Sequence, residues 1–142
     1  MNIVTKNIWL IIFSVCLYYP LQAQKLTHPI DQLLHNCLTA IDGQTIDGMV
    51  GCMNIAHEKW EQEMEYYLNL LMAKLNDSQK NALKHSQESW LKFREMEYKY
   101  LESLYSTKKA SSYKPILAEE KMNITKVRSI ELKEYYEILS TE

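Results

Sequence analysis

Residues 56–114 read AHEKWEQEMEYYLNLLMAKLNDSQKNALKHSQESWLKFREMEYKYLESLYSTKKASSYK, and they contain neither a glycine nor a proline. Strands and barrels need turn residues every 8 to 12 positions, so a stretch this long without either residue belongs to helices. Its first half has two faces at 100° per residue. Met49, Met53, Ala56, Trp60, Met64, Tyr67, Leu71 and Leu75 step by three or four along one side. Glu58, Glu61, Gln62, Glu65 and Asn69 fall almost opposite. The spacing predicts a buried apolar stripe carrying Trp60 and an acidic, solvated ridge at Glu58, Glu61 and Glu65.

Asn76-Asp77-Ser78 interrupts the pattern with turn and capping residues. A second long helix is expected beyond it, to about Tyr105. Leu83, Trp90, Leu101 and Leu104 mark its inner face, but Gln87, Arg94 and Glu97 share that stripe. Polar groups on a buried stripe must find partners. Arg94 can pair with Glu97 three residues on or stack on Trp90 four residues back. A polar network between helices is therefore expected.

Outward from this hairpin, the glycines Gly43, Gly48 and Gly51 cluster together and the prolines are Pro20, Pro29 and Pro115. A first helix is expected from Pro29, well placed at a helix start, to Ala40. A turn at Asp42-Gly43-Gln44 leads to Thr45 as cap of the long helix. Gly48 and Gly51 weaken the first turns of that helix and leave room for close approach of the first. After a polar linker, Ser106 to Lys114, a fourth helix runs from Pro115 to Leu139. The expected fold is all-α: a small disulfide-linked bundle of about four helices built on a long antiparallel hairpin.

At the N-terminus, Lys6 precedes the apolar run Ile8–Tyr19, which Pro20 breaks before Leu21-Gln22-Ala23. This describes a secretory signal peptide, residues 1–23; the run is shorter than a spanning helix requires. Cleavage between Ala23 and Gln24 leaves one domain, residues 24–142, with no membrane span and a net charge of −3. The implied location is periplasmic or secreted. In such an oxidising compartment the remaining even pair, Cys37 and Cys52, reads as a disulfide.

The chemistry-bearing patterns fail one by one. His35 and Cys37 are two apart and diverge by about 200° on a helix, and Cys52 and His57 diverge by about 140°, so no metal site is expected. No serine stands in a glycine-flanked elbow, and no glycine-rich loop cradles a phosphate. Near-neutral charge argues against nucleic acid. No catalytic residue and no cofactor are assigned.

Cys52, Ala56, Trp60-Glu61-Gln62-Glu63-Met64, Tyr67, Leu71-Met72 and Leu75 form one half of a motif. Leu83, Gln87, Trp90, Phe93-Arg94 and Glu97 form the other half. Together they resemble the LprI-type lysozyme inhibitor N-terminal domain family, small secreted bacterial helical domains. Thr125, Arg128 and Leu132 resemble a T-x-x-R-x-x-x-L near the family's C-terminus. Many members have a second cysteine pair. Here those regions read Met96-Glu97-Tyr98 and Lys121-Met122-Asn123, so the fourth helix is expected to be held by packing alone.

The resemblance implies a protein partner, a lysozyme-type muramidase, rather than a substrate. Such muramidases are commonly cationic, and Glu58, Glu61 and Glu65 have the complementary sign. Lys108 and Lys109 in the linker are a second candidate contact, placed to meet catalytic carboxylates. The alternative is an envelope structural or interaction module with another partner. An enzyme would need a deep pocket around Gln87, Arg94 and Glu97.

Overall fold

The computed structural model describes residues 28–106 and 111–141. The expected signal peptide with its Ala23–Gln24 junction, and the linker lysines Lys108 and Lys109, lie outside the described residues. Within them the fold is all-α: α1 (Pro29–Thr39), a short 3-10 turn (Ile41–Gln44), α2 (Ile46–Lys74), α3 (Asp77–Ser106) and α4 (Tyr113–Ile138). No described helix is long and apolar enough to cross a membrane.

Each helix start has a local cause. Pro29 opens α1, and the His28 side chain caps it by accepting from the Ile30 N–H at 3.3 Å. Thr45 caps α2 through Oγ1, which accepts from the Gly48 N–H at 3.0 Å. At α3 the Gln79 N–H donates to Asn76 Oδ1 at 3.0 Å, and the Asn76 N–H donates to Gln79 Oε1 at 3.1 Å. That reciprocal pair is a capping box, and it sets the break between the long helices where the sequence places it.

The α1–α2 corner is closed by the Cys37–Cys52 disulfide, whose Cα atoms are 5.6 Å apart. A bridge closing a loop of this length contributes about 3 kcal/mol in the chain-entropy view. Two glycines make the corner tight. A Cβ on Gly43 would lie 2.0 Å from the Cys37 carbonyl oxygen, and one on Gly48 would lie 1.8 Å from that of Asp42. Gly51 faces open space, so the close approach is the work of Gly43 and Gly48.

The core is centred on α2. One cluster joins Ile30 of α1, Ala56 and Trp60 of α2, and Met122 of α4. A second joins Met64 and Leu71 of α2 to Leu132 of α4, with Tyr67, Leu75, Leu83, Trp90 and Tyr136 packed around it. The apolar stripe expected on α2 is where the core forms: Met53, Ala56, Trp60, Met64 and Leu71 are all buried.

The hairpin is present in connectivity, but the closest packing is between α2 and α4, while α2 and α3 have few close backbone approaches. Side-chain size explains the difference, since interhelical distance follows the residues at the contact. Ala118, Thr125 and Ser129 line the buried side of α4 and Ala56 that of α2. The facing stripe of α3 carries Gln87, Trp90 and Arg94, long groups that hold the backbone off. Of α3 only Gln87 and Leu101 are buried, and Leu104, expected on the inner face, is exposed.

Candidate functional site

The acidic ridge divides once its neighbours are known. Glu58 and Glu65 are exposed and make no ion pair among the described residues. Glu61 turns toward α3, where the Arg94 guanidinium bonds its carboxylate, with His57 Nε2 at 3.5 Å on its own helix. Arg94 thus finds its carboxylate across the helix pair rather than at Glu97, and Glu97 is left without an ion-pair partner among the described residues. The Arg94 guanidinium also lies 5.0 Å from the Trp90 ring centroid, the stacking expected from their four-residue spacing.

Next to Glu61 is a polar junction of three helices. His57 Nε2 of α2 is 2.9 Å from Thr125 Oγ1 of α4 and 3.1 Å from the Tyr98 hydroxyl of α3. Proton counting orders it. A carbonyl only accepts, so the Tyr98 hydroxyl donates to the Lys121 carbonyl at 3.0 Å. Its oxygen accepts from Thr125 Oγ1 at 3.0 Å, and a proton on His57 Nε2 donates to Thr125. Burial holds the His57 pKa below its ordinary value against the pull of Glu61, with Arg94 and Lys121 adding to the depression. Burial likewise raises that of Tyr98. Sequence reasoning weighed His57 only as a metal ligand and missed Tyr98. The hydrogen-bond partners that join them, Thr125 and each other, lie on other helices.

A second network surrounds Arg128, which is 5% exposed. Its Nε donates to Gln87 Oε1 at 3.0 Å and a terminal nitrogen to Glu131 Oε2 at 2.6 Å. Gln87 Nε2 in turn faces Met64 Sδ at 3.7 Å. A buried cation is tolerated because these acceptors replace its water. Glu131 ionises more readily than usual: burial opposes this, but hydrogen bonds from Tyr135 and Arg128 outweigh it.

The third network fastens α1. With its Nδ1 accepting from Ile30, His28 bears its proton on Nε2 and donates to Glu63 Oε1 at 3.0 Å. Its ring stacks on Trp60, centroids 4.4 Å apart. Lys126 of α4 approaches the Trp60 ring to 5.3 Å and pairs with Asp31 of α1 at 2.6 Å. Hence α4 is not held by packing alone. Lys126, Arg128 and Thr125 each tie it to another helix, in the absence of a second disulfide.

Trp60, Glu63, Gln87 and Arg94 therefore bond or pack within the molecule, Trp90 packs partly buried against the second core cluster, and Tyr67 packs beside it with its ring 5.9 Å from that of Tyr136. Glu97 is the exception. Among the described residues these groups serve to tie three helices into one frame.

Comparison with known proteins agrees with this geometry. A family model described as lysozyme inhibitor LprI matches residues 37–132. No curated protein matches the sequence. Among solved structures, a crystal structure of an uncharacterised protein from Burkholderia thailandensis superposes with a TM-score of 0.76 at 22% identity, over 81% of this chain. The chain spans 57% of the length of that protein, and the likeness is one of fold.

Proposed function

The chain belongs to the LprI lysozyme inhibitor family, and on that premise we propose that it is a binding protein that blocks a lysozyme-type muramidase. The family match carries the reading. It runs from Cys37 of the disulfide to Leu132, the fully buried α4 residue of the second core cluster, so it spans α2 and α3 whole and most of α4, while Ile30 and most of α1 precede it. The signal-like residues 1–23 fit a periplasmic or secreted location, where such an enzyme would be met.

The geometry supports binding rather than catalysis. Of the three groups an enzyme reading depended on, Gln87 and Arg94 are committed to Arg128 and Glu61, and Glu97 alone keeps no ion pair among the described residues. A net charge of −2 favours approach of a cationic muramidase, chiefly by raising association rate and selectivity. Glu58 and Glu65 add to that overall charge from the exposed side of α2, and Lys108 and Lys109 remain candidates for contact with the cleft.

The test is direct. The mature chain beginning at Gln24 is mixed with a purified cationic lysozyme, and lysis of a cell-wall suspension is followed at low and moderate salt. Lysis slows in proportion to added protein, and less at higher salt as charge is screened. Undiminished lysis at micromolar excess and low salt overturns the reading and leaves the envelope module with another partner.

A further inference from the structure

Beside the polar junction, α3 and α4 leave a groove open to solvent. Trp90 and Phe93 of α3 and Ile124 and Val127 of α4 line it, with Glu120 and Asn123 at its edge, around a volume of about 290 Å³. It is not an isolated dent. Phe93, Met96 and Tyr100 are 52%, 71% and 58% exposed, and Val127 is 67% exposed. On α3 the residues at 93, 96, 100 and 104 step by three or four and form one stripe. Large apolar side chains gathered along one face mark an interaction surface, whereas scattered ones do not.

The arginines nearest the groove, Arg94 and Arg128, lie against the Trp90 ring and are taken up by Glu61 and by Gln87 and Glu131. Glu97 is one turn from Phe93 on α3, and Glu120 lines the groove from α4. Neither makes an ion pair among the described residues, although eight of the twelve described lysines and arginines do. An apolar floor with uncompensated acids at its rim suits a partner that presents apolar groups among cationic ones. Two further open grooves among the described residues are less suited. One, between α2 and α3, has Lys84 beside Glu88 in its lining, so its charge is balanced; the other, at the far end of the bundle, has no charged residue.

We propose that the α3–α4 groove, with Trp90, Phe93, Ile124 and Val127 as floor and Glu97 and Glu120 as rim, is where the cationic muramidase docks. This rests on the inhibitor reading above and assigns its surface. It differs from the α2 ridge, whose central carboxylate, Glu61, is taken up by Arg94. It also gives Glu97 a task that the internal networks leave open.

Binding of the mature chain to a purified cationic lysozyme, by calorimetry or surface plasmon resonance, tests it with three double variants. Phe93→Ser with Val127→Ser weakens binding by about tenfold or more, as loss of a central apolar contact does. Glu97→Gln with Glu120→Gln weakens it by several-fold and flattens its salt dependence. Glu58→Gln with Glu65→Gln changes the dissociation constant less than about twofold. All six residues except Glu97, which is half-buried, are exposed, so helical content and melting temperature serve as folding controls. If the ridge variant loses binding and the groove variants keep it, the groove assignment fails while the inhibitor reading stands. If the unaltered protein does not bind lysozyme, both fail. If lysozyme affinity is unaffected and the groove variants instead convert a sedimenting dimer to a monomer, the face belongs to a second copy and the proposal is overturned.

Discussion

His57 shows how one side chain takes its character from three helices. It faces Glu58 and Glu61 on its own helix, Arg94 and Tyr98 on α3, and Lys121 and Thr125 on α4. Burial lowers its folded-state pKa, while in the unfolded chain it titrates near 6.5. As pH falls through about 6.5 the unfolded state takes up a proton that the folded state refuses, so stability declines with acidification in that window. The decline ends once pH is below the folded-state value, where both states are protonated. His57→Gln keeps an N–H donor toward Thr125 and removes the titration. The free energy of urea unfolding is therefore expected to fall less steeply between about pH 6.5 and pH 5 in the variant. Equal slopes would show that His57 is not the group responsible.

At the scale of the element, two glycines of α2 near the α1–α2 corner differ in what surrounds them. Both Gly48 and Gly51 lie in the first turns of α2, where alanine is the better helix former by about 1 kcal/mol. Gly51 has nothing within 4 Å of an added Cβ, so Gly51→Ala is expected to stabilise by about 0.5–1 kcal/mol. At Gly48 the added carbon would meet the Asp42 backbone oxygen at 1.8 Å. The propensity gain is outweighed there, and Gly48→Ala is expected to cost about 2 kcal/mol net. Chemical denaturation of the two single variants, with the disulfide intact, reads the opposite signs. α3 shows the converse case: its polar inner stripe makes it a helix held at arm's length. Its outer flank keeps the apolar residues that a closer packed helix would bury.

At the scale of the whole molecule, α4 completes the core although it is the last helix in sequence. Met122 closes the cluster around Trp60, and Leu132 closes the one around Met64 and Leu71. A chain ended at Ser112 leaves those α2 residues facing water, with α3 too distant to replace them. It is expected to lose cooperative unfolding and to expose hydrophobic surface, checked by thermal melting and dye binding. A sharp melt near that of the full chain would contradict the central place given to the α2–α4 interface.

Much of this architecture was legible before any coordinates. Three- and four-residue spacing marks Met53, Ala56, Trp60, Met64 and Leu71 as one face, because a helix fixes which residues share a side. Caps at Thr45 and Asn76, and the even cysteine pair, are short-range signals of the same kind. Among the motif residues, Gln87 and Arg94 read correctly as polar groups that need partners. The partners themselves, Arg128 and Glu61, were out of reach, since each lies on another helix. The same holds for His57, Tyr98 and Thr125, which meet only when three helices converge.

The sequence by itself determined the helices, their boundaries to within a residue or two, the buried face of α2 and the disulfide, all set by local propensity, periodicity and residue type. The tertiary structure alone decided which helix lies closest to α2, that Glu61 is bound and Glu97 free, and that Phe93 and Val127 share an open groove. Those outcomes depend on the size of side chains meeting across helices and on long-range charge pairing, neither of which leaves a period in the chain.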